Sequence, residues 1–137
     1  ADTCVTIWDS KYHYNYWRPV TAIQRADEDD NEATTADKTW VPLLSTPPHP
    51  EYVSGHSGIS GAAAAIMEHH FGTKDISFEA SSDDVKDMKR RFTSFQTCAE
   101  EIAQSRIYGG IHYPAAGSEG LALGRKIAEY SIQHFTE

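Results

Sequence analysis

The chain has 137 residues and a mass of 15.2 kDa, which suits a single compact domain over residues 1–137. Twelve basic and twenty acidic side chains give a formal net charge of −8, which disfavours nucleic acid as a partner because phosphate backbones are repelled. A hydrophobic content of 39% excludes intrinsic disorder, and no apolar run approaches the roughly 18 residues that a membrane span needs.

The first third of the chain predicts helices followed by irregular segments. The apolar residues at helical spacing are Val5, Trp8, Tyr12 and Tyr16. Pro19 either ends this helix or begins a short one that continues through residues 21–25. Residues 27–32 contain five acids in six positions and predict a solvated loop. The prolines between residues 39 and 50 predict an extended connector.

The middle of the chain predicts a strong helix and then a polar region. Residues 59–71 are rich in alanine and are followed by Gly72, a combination typical of a helix and its C-terminal cap. Residues 73–91 are polar and of mixed charge. Within them, residues 81–84 resemble an N-cap, so we expect a short helix after this point.

Two further helices are expected near the C-terminus. One covers residues 92–107 and ends at the Gly109–Gly110 pair, and the other runs from about Ser118 to Phe135. Residues 114–117 between them predict a turn. Because no alternating strand pattern and no internal repeat is visible, the sequence predicts an all-α fold.

Two short stretches combine groups that bind anions. Lys11 and Arg18 are seven residues apart, which on a helix places both cations on the same side. Ser54, Gly55 and His56 stand at a helix start, where a hydroxyl, free backbone N–H groups and an imidazole face one space. The glycine allows close approach of a ligand to the backbone. Taken singly, the cations are more typical of solvated charges and the serine is more typical of a helix cap.

A third stretch adds a guanidinium and an imidazole. Arg106 offers planar, two-pronged hydrogen bonding to oxyanions. The glycine pair at 109–110 turns the chain, so that His112 points back toward the same space. Three cations, a helix N-terminus and two imidazoles are sufficient to hold a tetrahedral oxyanion and to perform nucleophilic or acid–base chemistry on it.

Together these stretches resemble the three-part signature of the vanadium-dependent haloperoxidase and type 2 phosphatidic acid phosphatase superfamily. In order, the matching segments are Lys11-x6-Arg18-Pro19, Ser54-Gly55-His56 and Ser105-Arg106-x5-His112. The match spans residues 11–112, and residues 15–20 also resemble the haloperoxidase-like branch. The resemblance implies an all-α helical bundle of the kind found in vanadium haloperoxidases and acid phosphatases.

The resemblance also implies a role for each matching residue. Those expected to hydrogen-bond the equatorial oxygens of vanadate, or of phosphate in the same site, are Lys11, Arg18, Ser54, Gly55 and Arg106. His112 is expected to bind the vanadium, or to act as the phosphorylated nucleophile in a phosphatase. His56 is expected to be the acid–base partner on the opposite side.

The favoured function is a vanadate-dependent haloperoxidase, in which hydrogen peroxide oxidises bromide or chloride and Lys11 polarises the bound peroxide. Trp8 and His49 resemble halide-pocket residues of that branch, although Trp8 also suits core packing and His49 a loop. One alternative is a soluble acid phosphatase acting on a phosphoester, with His112 as nucleophile. Another is an inactive phosphate-binding or structural remnant.

The sequence departs from the family pattern at two positions. Val53 stands where proline usually precedes the Ser-Gly-His segment, which reduces only the rigidity of the turn. Ala116 stands four residues after His112, where the family has an acid that orients the imidazole and raises its basicity. Glu119 or a backbone carbonyl is the candidate replacement for that acid.

The resemblance and the cysteines also lead to expectations about neighbouring regions of the protein, its cellular location and its thiols. Family members generally carry a helical region before the Lys-Arg segment, so we expect a C-terminal catalytic part that lacks this region or that forms a homo-oligomer. The resemblance favours a secreted or periplasmic location, although no signal peptide is recognisable in these residues. Cys4 and Cys98 are expected to be buried thiols, with one long-range disulfide as the alternative.

Overall fold

A computed structural model describes residues 1–135 and has five α-helices and one β-hairpin. The helices are α1 (Asp2–Tyr14), α2 (Pro19–Gln24), α3 (Gly55–Phe71), α4 (Phe95–Tyr108) and α5 (Pro114–Phe135), with a 3-10 turn at Ala26–Glu28. The strands are β1 (Phe78–Ser81) and β2 (Lys89–Phe92). The predicted helical bundle is confirmed, and the proline-rich connector between α2 and α3 is extended as expected.

The centre of the bundle is the contact between α3 and α5, which lie close together because small residues line both helices. A Cβ atom on Gly61 would come within 2.5 Å of the Leu121 carbonyl oxygen, and one on Gly124 would overlap the carbonyl of Gly58. Ala62, Ala65 and Ala128 form a buried apolar cluster along the same contact. This close approach fixes the N-terminus of α3 relative to α5.

Polar contacts align α4 with the central pair of helices. Arg125 on α5 donates to the Glu68 carboxylate on α3 at 3.0 Å and to the Gln96 side-chain oxygen on α4 at 2.7 Å. Ser94 begins α4 through a capping box with Thr97, in which each side chain accepts from the other residue's backbone N–H. The helix therefore begins after Ser94 and not at residue 92, as the sequence suggested.

The polar region at 73–91 forms a hairpin, so the predicted short helix after residue 81 is wrong. β1 and β2 pair antiparallel, with Phe78 opposite Phe92 at a ring-centroid distance of 5.4 Å. Phe78 also lies 5.1 Å from the ring of Phe95, which anchors the hairpin on α4. Each strand has only four residues. β1 alternates between half-buried and exposed residues over this short length and β2 does not alternate, so the pair gives no clear strand pattern.

Two other local predictions are corrected. Residues 114–117 form the first turn of α5, since proline is favoured where a helix begins. The apolar residues Val5, Trp8 and Tyr12 of α1 are exposed, and the buried face carries Ile7 and Lys11 instead. Helix α1 ends before Tyr16, because Asn15 adopts a left-handed conformation with φ 50°.

Both cysteines are free thiols, which removes the disulfide alternative. Cys4 is exposed, so its predicted burial is wrong, and Cys98 is half-buried. Burial raises the pKa of the Cys98 thiol, which disfavours its reactive thiolate form. Within residues 1–135, no helix combines the length and apolar character required to cross a membrane.

The close approach of α3 and α5 predicts that Gly124→Ala destabilises the fold by about 1–3 kcal/mol, because the added Cβ would overlap the Gly58 carbonyl. Gly117→Ala is the matched control in the same helix, since its Cβ would lie 3.8 Å from the Ala103 methyl group, an ordinary contact. Urea unfolding of the two variants checks this. Equal stability of the two variants would contradict the packing described above.

Candidate functional site

Lys11 lies at the base of the site on the buried face of α1. Its side chain is 0% exposed, and Nζ donates to the main-chain oxygens of Pro50 and Glu51, each at 3.0 Å. The pKa of Lys11 is lowered to about 8, mainly by burial and then by the nearby positive charge of Arg18, while the Glu51 carboxylate acts in the opposite direction. Lys11 is therefore a buried cation whose charge is held by backbone oxygens of the connector.

Arg18 lies beside Lys11, just before α2 begins, and is 5% exposed. Its Nε donates to the His49 main-chain oxygen at 3.0 Å, and Nη1 donates to the Ile111 main-chain oxygen at 2.7 Å. Nη2 lies 3.0 Å from His49 Nδ1, and Nη1 lies 3.1 Å from His112 Nε2. One guanidinium thus joins the connector to the segment between α4 and α5.

His112 is held between Arg18 and a buried carboxylate. Its Nδ1 lies 2.7 Å from Glu51 Oε1, and its Nε2 faces Arg18. A guanidinium only donates, so Nε2 must accept and Nδ1 carries the proton, which it donates to Glu51. Burial lowers the pKa of His112, the hydrogen bond to Glu51 opposes this shift, and Arg18 adds to it. The imidazole is therefore neutral at pH 7, with its lone pair on Nε2.

Glu51 is the functional residue that the sequence reasoning missed. It is 1% exposed, and Oε1 also accepts from the Tyr113 backbone N–H at 2.9 Å. The side chain of Ala116 is only a buried methyl group, and the candidate replacement Glu119 is exposed. The available signal was that Glu51 is the one charged residue between positions 39 and 54 of the sequence, because an isolated charge in an apolar connector needs a partner.

Above these buried groups is a pocket of about 310 Å³. Its lining contains Trp8, Leu44, Ser45, Pro47, His49, Gly55, His56, Ile59, Ser60, Arg106, Ile111 and His112. The Trp8 and His49 rings are 5.4 Å apart, so these two sequence candidates lie together at the pocket wall. Trp8 is 40% exposed, which rules out the alternative that it packs in the core. Burial lowers the pKa of His49.

His56 on α3, which is exposed, and Arg106 on α4 both line the pocket. Burial and the positive charge of Arg106 both lower the pKa of His56, so this imidazole is also neutral at pH 7. Arg106 is half-buried, donates from Nε to the Ser105 hydroxyl at 3.2 Å, and has no acidic partner among residues 1–135. Its two terminal nitrogens are therefore available to a ligand.

Ser54 has a more local role than its motif suggested. It is fully buried, and its Oγ accepts from the Ser57 hydroxyl at 2.9 Å and caps α3 by accepting from the Ser57 N–H at 3.4 Å. Gly55 does line the pocket, and a Cβ there would contact the Trp8 ring at 3.5 Å. The start of α3 thus contributes its backbone N–H groups and dipole, while the Ser54 hydroxyl is engaged within the helix cap.

The charge of the site favours an anion. Lys11, Arg18 and Arg106 are three cations, and the neighbouring carboxylate of Glu51 is already occupied by His112 and Tyr113. An excess of positive charge next to a helix N-terminus, with a neutral imidazole lone pair in the same space, fits a small oxyanion that also accepts a bond from nitrogen.

Comparisons with known proteins agree with this description. A family model described as "VCPO second helical-bundle domain" matches residues 1–137. A vanadium-dependent bromoperoxidase from Corallina pilulifera is 34% identical over 93 residues, which are 61% of this chain and 16% of that protein. A vanadium chloroperoxidase from Curvularia inaequalis is 26% identical over 81 residues, covering 52% of this chain and 13% of that protein. The chain therefore spans less than a fifth of these relatives.

Solved structures give the same relationship. The crystal structure of a bacterial vanadium-dependent iodoperoxidase superposes with a TM-score of 0.85 at 38% identity, covering 98% of this chain and 31% of that one. A holo-type bacterial vanadium-dependent chloroperoxidase superposes with a TM-score of 0.76 at 20% identity, covering 96% of this chain and 33% of that one. The second similarity bears on the fold alone.

The environment of Lys11 predicts that its ammonium loses its proton near pH 8, so the positive charge at the base of the site declines as the pH rises through this value. Arg18→Met should raise the pKa of Lys11, because it removes a repulsive charge. NMR titration of the Lys11 Cε and Nζ signals measures both, with Lys11→Met to assign them. Titration of Lys11 near the ordinary lysine pKa of 10.5 would contradict the described burial.

Proposed function

Because the chain belongs to the VCPO second helical-bundle domain family of vanadium haloperoxidases, we propose that it carries the vanadate site of such an enzyme, which uses hydrogen peroxide to oxidise a halide. The observation that carries this proposal is the neutral His112, whose Nε2 lone pair lies beside Arg18 at 3.1 Å in a site with surplus positive charge. A nitrogen lone pair is what a vanadium ligand must offer, and cations are what an oxyanion requires.

The residues present fit vanadate by the chemistry of their donors. Lys11, Arg18 and Arg106 would hold its oxygens together with the backbone N–H groups at Gly55, and His112 would bind the vanadium. When bound, vanadate supplies a Lewis-acid centre that activates hydrogen peroxide toward halide without a change in its own oxidation state. Phosphate, which has the same shape and charge, would occupy the same donors.

The other side chains around the pocket would transfer protons and bind the halide. Neutral His56 would accept a proton from hydrogen peroxide as it binds and return it as the halide is oxidised, since its lowered pKa leaves it unprotonated at pH 7. Trp8 and His49 form an amphipathic wall where a polarisable halide would approach. Leu44, Pro47 and Ile59 add apolar surface, which reduces competition from water.

We expect halide oxidation by the full chain only when orthovanadate and hydrogen peroxide are both present. Iodide should be tested with bromide and chloride, since a related solved structure is described as an iodoperoxidase. His112→Ala should abolish the activity, and His134→Ala, which changes an exposed histidine outside the pocket, is the matched control. Absorbance assays of triiodide formation and of bromination of a dye measure the reaction.

The same assay series separates the alternatives. Hydrolysis of an aryl phosphate without vanadate, inhibited when vanadate is added, would replace the haloperoxidase proposal with a phosphatase. Absence of both activities under conditions where the chain is folded would contradict an enzymatic role and favour an inactive phosphate-binding domain.

Arg106 should contribute to anion affinity because it lines the pocket and, within residues 1–135, has no acidic partner. Arg106→Ala should weaken phosphate and vanadate binding by about 10- to 100-fold, as expected for loss of a charged hydrogen bond of about 1.5–3 kcal/mol. Arg90→Ala is the matched control, since Arg90 pairs with Glu101 on the surface. Calorimetric titration with each anion measures the effect, and equal affinities of the two variants would remove Arg106 from the site.

A further inference from the structure

Glu51 contacts both Lys11, on α1, and His112, in the segment between α4 and α5. Its carboxylate oxygen Oε1 accepts from His112 Nδ1 at 2.7 Å and from the Tyr113 backbone N–H at 2.9 Å. Its main-chain oxygen accepts from Lys11 Nζ at 3.0 Å, and its own N–H donates to the Tyr16 main-chain oxygen at 3.1 Å. Because both main-chain polar groups of Glu51 are hydrogen-bonded, its backbone is held in place, and the fold directs its side chain toward His112.

We propose that Glu51 is the positioning residue of His112, and that it takes the place of the acid absent at Ala116. The proposal rests on the proposed function, because it concerns how His112 would bind vanadate. Glu51 comes from the connector that precedes α3, whereas Ala116 lies in the first turn of α5. The imidazole of His112 is thus held by an acid that lies before it in the sequence, in the connector, and not by one that follows it in α5.

The geometry explains how Glu51 would act. A ring flip of His112 would separate Nδ1–H from Glu51 and Nε2 from Arg18 at once, so the two contacts define one ring orientation. A carboxylate that accepts from Nδ1–H also increases electron density on the imidazole, which strengthens Nε2 as a donor to a metal. Without Glu51, the buried Nδ1–H would have no acceptor.

Electrostatics provides a test of this role. A carboxylate in an anion site repels the anion, so its direct effect on any oxyanion is unfavourable. A benefit transmitted through His112 exists only for an anion that forms a bond with Nε2. Phosphate binds through hydrogen bonds and charge alone, whereas vanadate also takes nitrogen as a ligand. Neutralising Glu51 should therefore affect the two anions in opposite directions.

The main experiment compares Glu51→Gln with the wild-type chain by calorimetric titration of orthovanadate and of inorganic phosphate. The amide keeps the size and the Oε1 acceptor of Glu51 while removing its charge. We expect vanadate affinity to fall by about 10- to 100-fold, and phosphate affinity to stay the same or to rise. Glu68→Gln is the matched control, because Glu68 is a buried carboxylate outside the pocket that pairs with Arg125, and it should change neither affinity.

A double-mutant cycle with His112→Ala identifies the route of the effect. If Glu51 acts through His112, Glu51→Gln should not weaken vanadate binding further when His112 is already alanine. An equal loss in both backgrounds, parallel losses for vanadate and phosphate, or unchanged vanadate affinity would overturn the proposal.

NMR of the anion-free chain separates this inference from the proposed function. The Nδ1 proton of His112 should resonate far downfield in wild type because it is shared with a carboxylate, should move upfield in Glu51→Gln, and should be lost in Glu51→Leu. Thermal melting of each variant identifies any that fail to fold. If the wild-type chain bound no vanadate, the proposed function would fail. The position of the His112 Nδ1 proton resonance would still show whether Glu51 holds His112. The same resonance position in wild type and Glu51→Gln would contradict it.

Discussion

The site depends on three consecutive main-chain carbonyls that hold two buried cations. The oxygen of His49 accepts from Arg18, and the oxygens of Pro50 and Glu51 accept from Lys11. Removing a cation from water costs several kcal/mol unless it is hydrogen-bonded, so the connector must replace the lost hydration shell. Just before α3 its course is in turn fixed by two main-chain hydrogen bonds, from Glu51 N–H to Tyr16 and from Ser54 N–H to Ala116. The extended, proline-rich connector is therefore part of the candidate site.

The overall charge of the protein and the charge of its site have opposite signs, and the structure separates them in space. Five of the twenty acidic residues are in the loop at residues 27–32, where side chains are exposed and form local pairs such as Asp27 with Lys38. Exposed charges are screened by water and salt beyond about 10 Å. Lys11 and Arg18 act in a desolvated interior, where interactions are stronger and the nearest groups decide the potential.

Much of the fold was predictable because it depends on local signals. The alanine-rich helix with Gly72 at its end and the glycine break before His112 follow from backbone preferences that are visible in a short window. The face of α1 was predicted wrongly because hydrophobicity was taken as burial. In this helix the buried position belongs to Lys11, whose charge is satisfied by residues about forty positions away. The hairpin was missed because its strands are stabilised by Phe78 packing on Phe95, a contact between separate elements.

In the candidate site, too, local sequence motifs were predictable and contacts between distant residues were not. The sequence predicted that Lys11, Arg18, Gly55, His56, Arg106 and His112 form one site. The fold brings Gly55, His56, Arg106 and His112 together around one pocket, with Lys11 and Arg18 buried beneath them, and the roles of these residues stay predictions. The partner of His112 was not predictable in this way. Glu51 lies sixty-one positions away from His112, and a family pattern places the acid elsewhere. The structure also engages the Ser54 hydroxyl with Ser57, a local competition that the motif alone does not reveal.

The contact between Arg18 Nη1 and His112 Nε2 has a thermodynamic consequence for any ligand of that nitrogen. Because the lone pair already accepts a charged hydrogen bond, ligand binding is an exchange reaction in which an internal bond is broken and a new one is formed. The measured binding free energy will thus be that of the new bond and its contacts, reduced by the free energy needed to break the hydrogen bond from Arg18 to His112. The same bond keeps a buried acceptor paired when no ligand is bound, so the site can stay assembled without one.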